Sequence, residues 1–91
     1  MYTTHNYKTK KDLKADVATL AWLAGLSEKD EDQYREMSRL ENRLFVYQPG
    51  GIFHPNTKQA RVYLEGPHYP QPHRWYASGE TDAHGVLVRV K

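Results

Sequence analysis

The sequence contains no cysteine, which excludes disulfide bonds, thiolate nucleophiles and cysteine-ligated zinc or iron–sulfur sites. It also lacks any apolar run near the roughly 18 residues that a membrane span requires, so no membrane partner is expected. The polar start predicts that no export signal is present. Because small secreted domains usually depend on disulfides, the composition predicts a protein of a reducing compartment, the cytoplasm.

Strong net charge is absent as well. The 91 residues carry a formal charge of +2, which is too small to predict nucleic acid as the partner. The charges are uneven, since residues 1–42 hold seven Lys or Arg and eight Asp or Glu, whereas residues 43–91 hold six and three. The length predicts a single domain over residues 1–91, and its C-terminal half is the more basic one.

A first helix is predicted over residues 10–24. One helix face is indicated by apolar residues that recur in steps of four, three and four, namely Leu13, Val17, Leu20 and Ala24, and Trp22 and Leu23 widen this apolar stripe. Thr9 stands before them as an N-cap, and Gly25 supplies the end. Residues 1–8, which precede this helix, are expected to be a flexible segment.

A second helix is predicted over about 28–42. Ser27 is its N-cap candidate, and acidic residues follow in the first turn, where the helix dipole favours negative charge. Tyr34, Met37 and Leu40 form only a narrow apolar stripe. This helix is therefore expected on the surface of the domain, and the helical part as a whole covers residues 9–42.

From Arg43 onward the period changes to two, which is typical of strands. The predicted strands are 44–47, 60–65, 74–78 and 86–90, with a Pro-rich loop at 67–73 and a hairpin turn at 82–85. The order of elements has no interleaved crossovers. It predicts an α+β fold in which two N-terminal helices pack on one face of a four-stranded antiparallel β-meander, residues 43–91.

Strand alternation predicts which side chains face the helices. The inward set is Leu44, Val46, Val62, Leu64, Trp75, Ala77, Val86, Val88 and Val90. The outward set is Arg43, Phe45, Tyr47, Arg61, Tyr63, Arg74, Tyr76, Leu87 and Arg89. The outward face is therefore expected to be aromatic and basic.

Such a face has three interpretations. Tyrosine and arginine together are typical of protein interfaces, including those of homodimers. Aromatics interleaved with arginines also bind single-stranded nucleic acid, by base stacking and phosphate pairing. Alternatively, the N-terminal segment with Tyr2 and Tyr7 covers the face. The candidate binding residues on it are Tyr47, Arg61, Tyr63, Arg74 and Tyr76.

The Pro-rich loop is a second candidate surface. Its prolines leave little entropy to lose on binding, and it displays His68, Tyr69 and His73. The structural alternative is that the loop supports Trp75 and covers the open end of the sheet.

Catalytic and metal-binding residues are not predicted. Ser27, Ser38 and Ser78 have no setting that pairs a serine with a histidine base. The loop histidines are His54, His68, His73 and His84, and the spacing of His68 and His73 matches no regular ligand pair. No enzyme activity, metal or cofactor is therefore expected.

Several motifs resemble those of small uncharacterised proteins of tailed bacteriophages. They are the run Glu65–Pro70 (EGPHYP), the run His73–Ala77 (HRWYA), the early Thr9-Lys10-Lys11 and the ending Gly85–Lys91 (GVLVRVK). The similarity covers the first helix and the β half, and it fails between about Thr19 and Asn42, so the second helix looks like an insertion.

The resemblance implies a context rather than a chemistry. Many small accessory phage proteins bind host or defence components, so the expected function is that of a non-catalytic protein that binds a host or bacterial defence protein in the host cell cytoplasm. The alternative is a module that binds nucleic acid or nucleotides through the aromatic and basic sheet face.

Overall fold

The structure, a computed structural model, describes residues 1–49 and 56–91. In chain order its elements are β1 (Tyr2–Thr3), α1 (Lys10–Ala24), α2 (Glu31–Arg43), β2 (Val46–Tyr47), β3 (Arg61–Gly66), β4 (Trp75–Thr81) and β5 (Leu87–Val90). Among the described residues, no helix combines the length and apolar character needed to cross a membrane.

The bounds predicted for the first helix are confirmed. The Thr9 hydroxyl accepts a hydrogen bond from the backbone N–H of Asp12 at 3.2 Å, which caps the first turn. The backbone N–H of Gly25 closes the last turn on Ala21 and Trp22. Four residues of the predicted apolar stripe are buried and provide one wall of the core: Leu13, Val17, Leu20 and Leu23. Ala24 and Trp22, which were predicted to belong to the same stripe, are exposed.

The second helix begins at Glu31, three residues later than predicted, because its cap is Asp30 and not Ser27. The Asp30 carboxylate accepts from the backbone N–H of Gln33 at 2.8 Å, and the Gln33 side chain accepts from the backbone N–H of Asp30 at 2.9 Å. This reciprocal pair is a capping box, and it satisfies two backbone donors at the start of the helix. The helix packs against α1 and buries Leu40 completely.

The predicted four-stranded meander is correct for three strands only. β3, β4 and β5 form an antiparallel sheet in that order. The predicted first strand is shorter, Val46–Tyr47, and it pairs with Tyr2–Thr3 in a separate two-stranded sheet. The segment predicted to be flexible, residues 1–8, thus contains a strand, and Tyr2 and Tyr7 within it are buried.

Hydrogen bonds connect the two sheets at both ends. Phe45 and Val86 form an isolated bridge, supported by the backbone N–H of Leu87, which donates to Leu44 at 2.9 Å. On the other side, the backbone N–H of Glu65 donates to the carbonyl of Met1 at 3.2 Å. The hydrogen bonds therefore run from β3 through β4, β5, β2 and β1 back to β3.

The predicted alternation is confirmed in β3 and β4, whereas in β5 it holds for Arg89 and Val90 but is wrong for Leu87 and Val88. Leu87, predicted to face outward, is fully buried, whereas Val88, predicted to face the helices, is 39% exposed. The pairing explains the change, because Thr81 pairs with Leu87 and its neighbour Glu80 pairs with Arg89. Val88 is the extra residue of a β-bulge, and such a bulge reverses the faces on either side of it.

Candidate functional site

Two exposed tyrosines lie on the outer face of the three-stranded sheet. Tyr63 on β3 and Tyr76 on β4 have 65% and 66% of their surface exposed. Tyr63 pairs with Ser78 and Tyr76 pairs with Glu65, so the two rings are diagonal neighbours across the strands. They point outward because the residues that alternate with them along each strand are held in the core.

The Pro-rich loop is anchored to the N-terminal segment through Tyr2. The Tyr2 hydroxyl accepts from the backbone N–H of Tyr69 at 3.0 Å and hydrogen-bonds to Nε2 of His73 at 3.0 Å. The Tyr2 ring stacks on His68 with a centroid distance of 4.4 Å. Asn6 adds a further contact, since its side-chain oxygen accepts from the backbone N–H of His68 at 2.8 Å. The loop is therefore held in place by side chains as well as by its prolines.

Aromatic contacts join the loop and the sheet face into one surface. The Tyr76 ring meets His73 edge-on at 6.3 Å, His73 meets Tyr2 at 5.9 Å, and Tyr2 meets Tyr47 at 6.1 Å. Tyr69, at 81% exposure, lies on the same loop. We call the exposed members of this group the tyrosine surface: Tyr47, Tyr63, Tyr69, His73 and Tyr76.

No family model, curated protein or solved structure matches the chain. What the tyrosine surface can bind therefore has to follow from its own chemistry.

The sequence predicted two separate surfaces and did not predict their connection. The residue that connects them is Tyr2, which the sequence predicts only as part of a segment that covers the sheet face. In the structure Tyr2 is buried beneath the loop, and Tyr63 and Tyr76 remain exposed within the described part of the chain. The signal that could have identified β1 is the run of β-formers Tyr2-Thr3-Thr4.

The predicted structural role of the loop also has support. The Trp75 indole N–H donates to the backbone carbonyl of Tyr7 at 3.0 Å. Gly66, where the loop begins, lies so close to the Trp75 ring that a methyl group there would overlap it. The N-terminal segment and Gly66, at the junction of β3 and the loop, thus hold Trp75, while Tyr69 further along the loop is exposed.

The predicted arginines Arg61, Arg74 and Arg89 are exposed, and two of them share one acidic partner. Arg61 and Arg89 lie on either side of Glu80, with N···O distances of 3.8 Å and 3.2 Å to its two oxygens. Arg74 is exposed, next to Trp75 at the start of β4. One carboxylate therefore offsets part of the positive charge that the strand pattern predicted for this face.

Arg43 was predicted to face outward, and this is wrong. Its guanidinium lies over the Tyr7 ring at 5.5 Å, and its Nε is 3.4 Å from the Asp16 carboxylate. The Tyr7 hydroxyl donates to the same carboxylate at 2.6 Å. Burial and this hydrogen bond raise the pKa of Tyr7. The cluster ties the N-terminal segment to α1 and the end of α2.

The histidines do not converge on a metal site in the described part of the chain. Within residues 1–49 and 56–91, no group of three or more His, Asp or Glu residues is placed to hold a metal ion. His68 is half-buried against Tyr2, and burial lowers its pKa from the ordinary value of 6.5. His84 lies in the exposed turn before β5, and His54 lies outside the described residues.

Proposed function

We propose that this protein is a non-catalytic binding protein whose tyrosine surface recognises another protein. The observation that carries the proposal is the exposure of Tyr63 and Tyr76, at 65% and 66%, at diagonal positions of paired strands. Tyr69, at 81%, lies on the loop whose His73 contacts Tyr76. Tyrosine is enriched in protein interfaces and among the residues that dominate binding energy, because its ring buries a large area and its hydroxyl keeps a polar contact.

The anchoring of the loop also favours binding. Tyr2 and Asn6 fix the backbone at His68 and Tyr69, so the loop has little conformational freedom to lose when a partner docks. Tyr63 and Tyr76 stand on paired strands, whose backbone is fixed by the sheet. A surface ordered in advance binds more tightly than a flexible one of the same composition.

Protein is favoured over nucleic acid as the partner because the tyrosine surface, as the described residues form it, contains no lysine or arginine. Nucleic-acid affinity depends mainly on cations that are free to pair with phosphates.

A non-catalytic role is favoured because, within the described residues, no serine hydroxyl hydrogen-bonds to a histidine.

The resemblance to proteins of tailed bacteriophages suggests the class of partner. Small accessory proteins of phages commonly act by binding components of the infected cell, which makes a host or bacterial defence protein in the cytoplasm the partner that we propose. This step rests on the motif EGPHYP, which contributes Tyr69 to the tyrosine surface, and on HRWYA, which contributes His73 and Tyr76.

The test is capture of a partner by tagged protein from bacterial lysate. We expect Tyr63→Ser/Tyr76→Ser to reduce capture by at least about tenfold, because central interface aromatics often contribute 2 kcal/mol or more. Tyr34→Ser is the matched control, since Tyr34 is 57% exposed but lies on α2. If the double variant and the control capture the same partner equally well, the tyrosine surface is not the site.

Two further measurements identify the partner class. If sedimentation shows a wild-type dimer that the double variant converts to a monomer, the surface is an interface between copies of this chain. If the captured species is nucleic acid and its affinity falls steeply with salt, the nucleic-acid alternative replaces the protein partner.

A further inference from the structure

A groove of about 560 Å³ lies between α1 and one end of the three-stranded sheet, and its described lining contains none of the tyrosines. It remains open because the residues that border it are small. α1 contributes Ala18 and Ala21, and β4 contributes Ser78 and Gly79. Gly79 cannot carry a side chain, since a methyl group there would overlap the backbone of Arg89 and the side chain of Leu87. The volume is within the range of pockets that hold small organic ligands, about 300–1,000 Å³.

The groove has an excess of positive charge. Four basic residues line it, one on each of three elements and one just after β5: Lys14, Arg61, Arg89 and Lys91. The acidic residue in the described lining is Glu80, which lies between Arg61 and Arg89. Converging cations beside low-dielectric walls concentrate their field and attract anions.

The remaining described lining is aliphatic. Val17, Ala18 and Ala21 of α1 lie opposite Val90 of β5. These side chains suit an alkyl group, and a nucleobase would find no ring among the described lining residues to stack on. Cationic and aliphatic walls together fit an amphiphilic anion.

We propose that the groove binds a small organic anion with an aliphatic body and a carboxylate or phosphate-ester head. The head pairs with Lys14, Arg61 and Arg89, and the body lies along the aliphatic wall formed by α1 and Val90. This site shares Arg61 and Arg89 with the sequence-predicted outward face, but its described lining contains none of the tyrosines, so it can be tested separately from the proposed function.

Glu80 has two opposing effects on such a ligand. Its ion pairs hold the guanidiniums of Arg61 and Arg89 at the groove, which favours binding by fixing their position. Its own negative charge repels the ligand and competes for the same donors. The side chains of Arg61 and Arg89 are both more than half exposed. Water can therefore replace the contacts by which Glu80 orients them more easily than it can remove the repulsion between Glu80 and the ligand. The net effect of Glu80 is therefore to weaken anion binding.

The experiment is a titration followed by amide chemical shifts of the folded protein. Octyl phosphate and octanoate test the two heads, octanol tests the body without charge, and inorganic phosphate tests the head without the body. We expect at least one octyl anion to bind with shifts at Ala18, Ala21, Gly79 and Val90. Octanol and inorganic phosphate should each bind at least about tenfold more weakly, since each lacks one set of contacts.

Variants locate the binding. We expect Lys14→Gln to weaken the octyl anion about tenfold, whereas Lys11→Gln, on the same helix but outside the groove, should leave it unchanged. Ala18→Leu should block the groove, and Glu80→Gln should strengthen binding several-fold. Tyr63→Ser/Tyr76→Ser should bind the anion like wild type, which separates this site from the tyrosine surface.

The inference is overturned if inorganic phosphate binds as tightly as both octyl anions, because the groove then adds nothing to simple charge attraction. It is also overturned if octanol binds as tightly as they do, or if Lys14→Gln and Lys11→Gln have equal effects. The inference is also overturned if neither octyl phosphate nor octanoate causes shifts.

Discussion

Two tryptophans of the chain have opposite environments. Trp75 is 9% exposed, and its indole N–H is satisfied by the carbonyl of Tyr7. Trp22 is 61% exposed on α1. The strand parity predicted that Trp75 belongs to the core, and this is confirmed because the residues before and after it alternate without a bulge.

We predict that Trp75→Ala lowers the free energy of unfolding by about 3–5 kcal/mol, because it leaves a large cavity and removes the hydrogen bond to Tyr7. Trp22→Ala is the matched control, and its effect should remain within about 0.5 kcal/mol. Urea denaturation followed by circular dichroism gives both values. Equal losses for the two variants would contradict the assignment of Trp75 to the core.

At the scale of elements, β5 shows that the apolar period of a sequence can be insufficient to predict which side chains face the core. Four of its five predicted residues, Val86-Leu87-Val88-Arg89-Val90, are apolar, so both faces have apolar candidates. The bulge at Val88 then depends on how β5 pairs with Glu80 and Thr81 of β4, which the apolar pattern of β5 alone does not specify. A strand with apolar residues on both faces does not specify its own register.

We predict that Leu87→Ala costs about 2–5 kcal/mol in the free energy of unfolding, since this side chain is fully buried. Val88→Ala should change it by about 0.5 kcal/mol or less, because Val88 is the exposed residue of the bulge. The simple alternation predicts the reverse order. Thermal or urea unfolding of the two variants side by side therefore distinguishes the two registers.

The helices show how local signals determine what the sequence can predict. For α1 the cap at Thr9, the apolar period and Gly25 agree, and the predicted bounds are confirmed. For α2 two caps compete within four residues, and the reciprocal bonds of Asp30 and Gln33 decide in favour of the later one. Local sequence signals were sufficient to predict the bounds of α1, but they left the start of α2 ambiguous.

Across the whole molecule, the N-terminal segment connects parts that are distant in sequence. β1 pairs with β2, Met1 accepts a hydrogen bond from β3, and Tyr2 holds the Pro-rich loop. A two-residue strand has too few residues to show a period, and its partner lies more than forty positions away. The candidate residues were therefore predictable one by one, whereas the surface that joins them required the tertiary structure.

This connection predicts a pH dependence of global stability. Burial lowers the pKa of His68 below 6.5, because the protonated ring is less well solvated against Tyr2 than in the unfolded chain. Burial, with the positive charge of Arg43, also lowers the pKa of His5. The unfolded chain therefore binds more protons than the folded protein once the pH falls below about 6.5. The contribution of these two histidines to folding stability is fully present above that pH, and it is lost as the pH falls through their folded-state pKa values.

We predict that the melting temperature falls when the pH is lowered from about 7.5 to about 5.5, and that His68→Gln reduces this fall. His84→Gln is the control, because His84 lies in an exposed turn and should leave the pH dependence as in wild type. Calorimetry at several pH values measures the slope directly. If His68→Gln keeps the full slope while His84→Gln removes it, protonation acts at the β4–β5 turn and not at the contact between the loop and Tyr2. If all three proteins share one slope, groups other than His68 and His84 cause the acid sensitivity, with His5 beside Arg43 the first to substitute.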